Sequence, residues 1–151
     1  MEQGTIKEIS PKEIKSITLL SIEEVEKFPR EILFSNRSWW LRSIGCNPIE
    51  AAIVFCDDGF VNISSSGVYD DDYSVRPALI FNPNSSNLGN GDIVEVFDRK
   101  WYYKDGMALL VDEPLTYMAF REDWRADDAN DYEKSDIKKY LDNWFKKKKE
   151  E

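Results

Sequence analysis

Ala51-Ala52-Ile53-Val54-Phe55-Cys56-Asp57-Asp58-Gly59-Phe60-Val61-Asn62-Ile63 holds two β-rich runs, 51–56 and 60–63, joined across an Asp-Gly pair. Gly supplies the positive φ that a tight reversal needs and Asp forms turns through its own carboxylate, so the stretch predicts an antiparallel hairpin with Asp58 in the turn. Tyr103-Lys104-Asp105-Gly106-Met107 repeats the signal and returns through 108–111. Working outward, short apolar runs at 17–20, 39–42, 75–81, 93–97 and 101–103 read as further strands. Alternation over 39–42 puts Trp39 and Leu41 on one face and Trp40 and Arg42 on the other. Pro77 lacks an N–H and marks an edge, a bulge or an end of pairing within 75–81.

Two helix signals flank these strands. Ser21-Ile22-Glu23-Glu24 is a capping box opening a short helix through Phe28, which Pro29 stops. Ser135 caps a second helix with Asp136 in its first turn, and Ile137, Tyr140, Leu141, Trp144 and Phe145 form one apolar stripe along it. The expected class is α+β, a twisted antiparallel sheet with two main helices. Residues 1–16 read as a polar leading arm, 17–145 as a single domain containing a connector at 82–91, and 146–151 as a charged tail.

A chain of 151 residues with 42% apolar and 32% charged side chains is globular in composition and long enough for one core. Its net charge is −9, which argues against direct binding of nucleic acid or of an anionic membrane. Residues 105–136 carry ten acidic and three basic side chains, whereas 137–151 are net positive and include Lys146 to Lys149, suited to the negative end of a helix. Cys46 and Cys56 are too few for a disulfide framework and read as small buried hydrophobes. The first residues lack the pattern of a signal peptide, and the longest apolar run, 51–56, is too short to span a bilayer, so the reducing cytoplasm is expected.

Histidine is absent, which removes the commonest general base and metal ligand and forbids a Ser-His-Asp or Cys-His site. No glycine-rich phosphate loop occurs. The acid clusters at Asp57-Asp58, Asp70-Asp71-Asp72 and 127–131 offer oxygen donors, but none has the spacing of an EF-hand loop, and no cofactor is expected. Carboxylates abound without any pair singled out for acid–base work, so an enzyme is the weaker class.

Trp39-Trp40-Leu41-Arg42-Ser43 and Val75-Arg76-Pro77-Ala78-Leu79, with the lead-in Leu19-Leu20-Ser21-Ile22-Glu23-Glu24-Val25, resemble an uncharacterised bacterial and phage domain-of-unknown-function family. Trp101, Ala108-Leu109-Leu110 and 132–142 are similar to that family's other portion, which stands first there and last here. The resemblance implies a C-type-lectin-like fold in circularly permuted order, with the connector 82–91 joining the old end to the old beginning. The alternative is two half-modules completed in trans or by a swapped dimer. Tyr73-Ser74 where a Gly often stands, and Asp142 for the usual Asn, depart from the family pattern. Arg42 and Arg76 read as internal partners for carboxylates or carbonyls rather than ligand contacts.

The functional expectation is a non-catalytic recognition module that binds a protein or a glycan through loop aromatics Tyr69, Tyr73 and Trp124 and the acids beside them, Asp70, Asp71, Asp72, Asp123, Asp127 and Asp128. Two alternatives stand beside it: an acidic, phage-encoded inhibitor offering carboxylates to a basic nucleic-acid-binding protein, and a carboxylate-based hydrolase.

Overall fold

The computed structural model describes residues 6–64, 66–83 and 88–151. Among them the strands are β1 (Ile6–Glu8), β2 (Ile14–Thr18), β3 (Trp39–Ile44), β4 (Ala51–Val54), β5 (Val61–Asn62), β6 (Ala78–Phe81), β7 (Ile93–Val96), β8 (Arg99–Lys104) and β9 (Met107–Leu110). The α-helices are α1 (Ile22–Val25), α2 (Arg30–Leu33) and α3 (Asp136–Glu150). The class is α+β, with two sheets where one was expected: a six-stranded sheet in the order β1-β7-β8-β9-β6-β2 and a three-stranded sheet β3-β4-β5. Every pairing is antiparallel except β1 with β7, so part of the polar arm is a parallel edge strand.

Both Asp-Gly hairpins form. Gly59 has φ +72°, its N–H donates to the Phe55 carbonyl, and the Asp58 carboxylate accepts from the Phe60 N–H at 2.9 Å. Asp105 and Gly106, at φ +49° and +85°, reverse the chain between Lys104 and Met107. A third tight turn lies where the expected strand 93–97 was to run on. Phe97 and Asp98 both have positive φ, 57° and 62°. Neither is glycine, and packing explains the choice: the Phe97 ring meets Trp144 and Phe145 of α3 edge-on at 5.8 and 5.9 Å, burying aromatic area that outweighs the cost of the left-handed backbone.

Alternating residues of both sheets feed two apolar clusters. Trp40, Ile53, Leu79, Val94, Trp101 and Leu110 enter one, with Ile137 and Leu141 of α3. Trp39, Leu41, Val54, Ala78, Tyr102 and Leu109 enter the other, with Val25 of α1 and Leu33 of α2. The expected split of Trp39 and Leu41 from Trp40 is therefore the boundary between the clusters. It also explains why all four residues of β4 are apolar and buried, because a strand covered on both faces has no solvent side to alternate toward. The three fully buried indoles each donate to a carbonyl: Trp39 to Leu33 at 3.0 Å, Trp40 to Met118 at 2.8 Å and Trp101 to Val96 at 3.1 Å.

Ser21 and Glu24 form the expected capping box at α1. α1 closes at Val25, short of the expected Phe28, and Pro29 then opens α2, its fixed φ being as suitable for a helix start as it is unsuitable for a helix interior. At the far end α3 runs through Lys146 to Lys149 rather than ending before them, and Lys149 donates to the carbonyls of Pro11 and Ile14 at 2.7 and 2.8 Å. Of the expected connector, 84–87 lie outside the described residues, and its flanks are tied down: Asn82 bonds the carbonyls of Lys12 and Glu13, and Gly91 that of Tyr103. Both thiols are free, but Cys46 is exposed and Cys56 half-buried, so neither is the buried hydrophobe expected. Cys46 lies just past the end of β3, in the loop beyond the core.

Candidate recognition surface

Two loops meet on one side of the molecule. One runs from Ser66 to Tyr73, the other from Thr116 to Asp136. Neither contains a long regular element, so their positions rest on cross-loop bonds. The Arg121 N–H donates to the Val68 carbonyl at 2.9 Å, and the Met118 N–H to the Tyr73 carbonyl at 3.1 Å. Below them the Trp40 ring stands edge-on to Phe120 at 5.5 Å and holds the Met118 carbonyl, anchoring the second loop in the core.

This arrangement brings Tyr69 and Trp124 together, 55 positions apart in the chain. Their rings meet edge-on at 5.8 Å while remaining 52% and 39% exposed. Arg125 lays its guanidinium 4.8 Å over the Trp124 ring. Tyr73, grouped with them from sequence, faces the other way: its ring packs edge-on against Trp40 at 4.9 Å, half-buried against the core. Trp40 offers it an apolar partner that solvent does not.

The predicted acids divide by what they touch. Asp70 accepts from the Asp72 N–H at 2.9 Å and closes a turn, while Asp72 pairs with Arg37 at 3.2 Å. Asp128 pairs with Arg121 at 2.8 Å and Lys134 at 3.0 Å. The Lys134 ammonium, with the Arg121 guanidinium behind it, holds the Asp128 carboxyl below the usual carboxylate range against the opposing pull of desolvation. Asp71, Asp123 and Asp127 are exposed and make no ion pair among the described residues.

Sequence reasoning missed Tyr117, which is 49% exposed and lines two adjoining hollows. The smaller, about 250 Å³, lies between it and Tyr69, with Asp71, Glu122 and Asp136 on its walls. The larger, about 580 Å³, has Glu31, Asp112 and Glu113 around it and Arg76 at its base. The one sequence signal at Tyr117 is that of an aromatic between the last strand and the last helix; nothing local sets it apart from a core residue.

Arg76 and Arg42 serve as internal ties. The Arg76 side chain, 3% exposed, donates to the carbonyls of Ile32 (2.8 Å), Leu33 (3.2 Å) and Leu110 (2.9 and 3.1 Å), and lies 4.6 Å over the Trp39 ring. Arg42 pairs with both oxygens of Glu24 and donates to the Leu19 carbonyl.

No family model, curated protein or solved structure matches the chain. What the site can do is therefore argued from its own chemistry. Among the described residues no three His, Cys, Asp or Glu side chains are placed to hold a metal ion, and no helix is long and apolar enough to cross a membrane. Exposed rings with carboxylates between them offer flat apolar contact and acceptors, which is the chemistry of a docking face.

Proposed function

We propose that this chain is a non-catalytic recognition module, acting in the cytoplasm, whose protein partner docks where Tyr69 meets Trp124. The observation that carries the reading is that contact itself: two large exposed rings from separate loops share a patch on a face held by cross-loop hydrogen bonds. Rigid aromatic anchors contribute most where they are ordered before binding. The test is affinity capture from the native host with wild type and with Tyr69→Ala/Trp124→Ala, then titration of the purified partner, with a glycan array in parallel. The double variant should bind at least about tenfold more weakly, a loss of about 1.4 kcal/mol, at unchanged fold. Equal affinity of both forms, or an empty capture together with an empty array, refutes the reading.

The C-type-lectin-like, permuted architecture belongs to the same proposal. It is supported by Leu19 and Trp40 sharing one cluster with Ile137 and Leu141, which makes the motif-bearing portions complementary within one chain, and by the end of α3 lying on the segment before β2. A chain rejoined with 88–151 ahead of 6–83, which keeps every described strand and α3 whole, should fold to the same near-ultraviolet spectrum; a molten product sinks the permutation.

The acidic-inhibitor reading draws support from Asp123 and Asp127, exposed and outside any ion pair among the described residues, and loses Asp128 to Arg121 and Lys134. Its test is Asp123→Asn/Asp127→Asn, which should abolish salt-sensitive binding to the basic partner.

A further inference from the structure

The two hollows share Tyr117 as a lining residue and so adjoin each other across it. Six carboxylates line them: Glu31, Asp112 and Glu113 on the larger side, Asp71, Glu122 and Asp136 on the smaller. None of the six makes an ion pair among the described residues, unlike Asp72 and Asp128 nearby. Asp112 and Asp136 do accept from backbone N–H groups, of Lys100 at 3.0 Å and Glu122 at 2.8 Å, which leaves their charge in place. Among the described lining residues the cation is Arg76, and its guanidinium is turned onto three carbonyls. Carboxylates outside any ion pair among the described residues thus stand on both sides of one exposed ring.

The rings at this site already hold cations. Arg37 lies 5.4 Å from the Tyr117 centroid and Arg125 4.8 Å from that of Trp124. A ring face flanked by carboxylates attracts ammonium and guanidinium groups through its quadrupole and through direct charge together.

We propose that the groove straddling Tyr117 receives an extended lysine- or arginine-bearing segment of the partner protein, one cation entering each hollow and the chain crossing the Tyr117 ring. The proposal rests on the recognition-module reading and names the chemistry of its partner. An acid-lined, aromatic-centred groove selects cationic chains over neutral or acidic ones, and such binding weakens as salt screens it.

The experiment is fluorescence anisotropy with labelled peptides of about twelve residues, roughly 40 Å when extended, alternating Lys and Gly, Arg and Gly, Gln and Gly, or Glu and Gly. The Lys and Arg peptides should bind saturably and the Gln and Glu peptides should not. Tyr117→Ala should weaken binding about tenfold, and Tyr117→Phe, which keeps the ring face, should restore it. Asp71→Asn/Glu122→Gln and Glu31→Gln/Glu113→Gln should each weaken it to a similar degree. Glu8→Gln/Glu150→Gln, which removes the same charge outside both hollows, should leave it unchanged. Thermal melts of each variant confirm that the fold is retained.

Equal loss in the Glu8/Glu150 pair, equal binding of the Gln peptide, or no saturable binding of either basic peptide overturns the proposal. So does a concentration-dependent dimer that separates on Lys146→Gln/Lys147→Gln, since a second copy of this chain would then be the occupant. The two readings fail separately. If basic peptides do not bind but the purified partner still depends on Tyr69 and Trp124, the groove falls alone. If the partner ignores Tyr69 and Trp124 while peptide binding depends on Tyr117, the groove stands and the Tyr69–Trp124 anchor falls.

Discussion

Replacing Arg76 by Met should destabilise the protein by about 3–5 kcal/mol, the low end of the surplus of its hydrogen bonds over the cost of burying its charge. Burial pushes the Arg76 pKa down to about 10 from its ordinary value of 12.5, so keeping this charge inside costs roughly 3 kcal/mol. Against that stand four hydrogen bonds from a charged donor, at about 1.5–3 kcal/mol each, or roughly 6–12 kcal/mol in all. The bonds win. Methionine fills the unbranched stem but strands the carbonyls of Ile32 and Leu110; that of Leu33 keeps the Trp39 indole. Because these carbonyls belong to the end of α2 and to β9, the loss should register locally as faster amide exchange over 30–34 as well as globally. Urea unfolding followed by Trp fluorescence measures the free energy, with the m-value checked for two-state behaviour. Arg76→Lys is the sharper arm: an ammonium keeps the buried charge and cannot reach three carbonyls in one plane, so it should lose at least as much as Met. A Met variant within about 1 kcal/mol of wild type, or a Lys variant more stable than Met, refutes the reasoning.

Two further outcomes are expected. For Glu24, burial acts to raise the carboxyl, but the Arg42 guanidinium and the Ser21 N–H outweigh it and hold the pKa below its ordinary value of 4.5. The folded state thus prefers the ionised form: the contribution is complete above pH 4.5 and is lost as pH falls through the folded value, so Glu24→Gln should flatten the acid limb of stability by about 0.5–1 kcal/mol for a half-exposed pair, read from urea midpoints at neutral and acid pH. At Gly67 an added Cβ would stand 2.8 Å from the Tyr69 ring, so Gly67→Ala should push that ring off Trp124. Partner affinity should fall at least threefold, roughly 0.7 kcal/mol, while the melting temperature barely moves; unchanged affinity would show that the edge contact is not what docks.

How far the site was legible follows from which signals are local. Tyr69 and Trp124 both stand out in the sequence as loop aromatics, since large rings within polar stretches are distinct in composition. That they touch was invisible, as the Arg121–Val68 and Met118–Tyr73 backbone bonds that align the two loops leave no trace in residue type. Tyr73 looked like Tyr69 in sequence and differs because Trp40 lies under it. Among the acids, Asp72 and Asp128 are neutralised by Arg37 and Arg121, 35 and 7 positions away, whereas Asp71 and Glu122 are left open. Tyr117 and the groove it divides escaped notice because a cavity is made by several segments at once.

The amino-acid sequence by itself determined the elements whose causes lie within a few residues: the Asp-Gly hairpins, the Ser21 capping box, the Ser135-capped helix with its apolar stripe, and the opposite facing of Trp39 and Trp40. Steric limits on φ, orphan N–H groups and side-chain periodicity act over that range. Only the tertiary structure decided that the strands divide into two sheets, that residues 6–8 pair in parallel with β7, and that Phe97 and Asp98 turn the chain with positive φ. Those outcomes rest on packing between distant segments, such as Phe97 on α3, where burial of aromatic area outweighs the local preference.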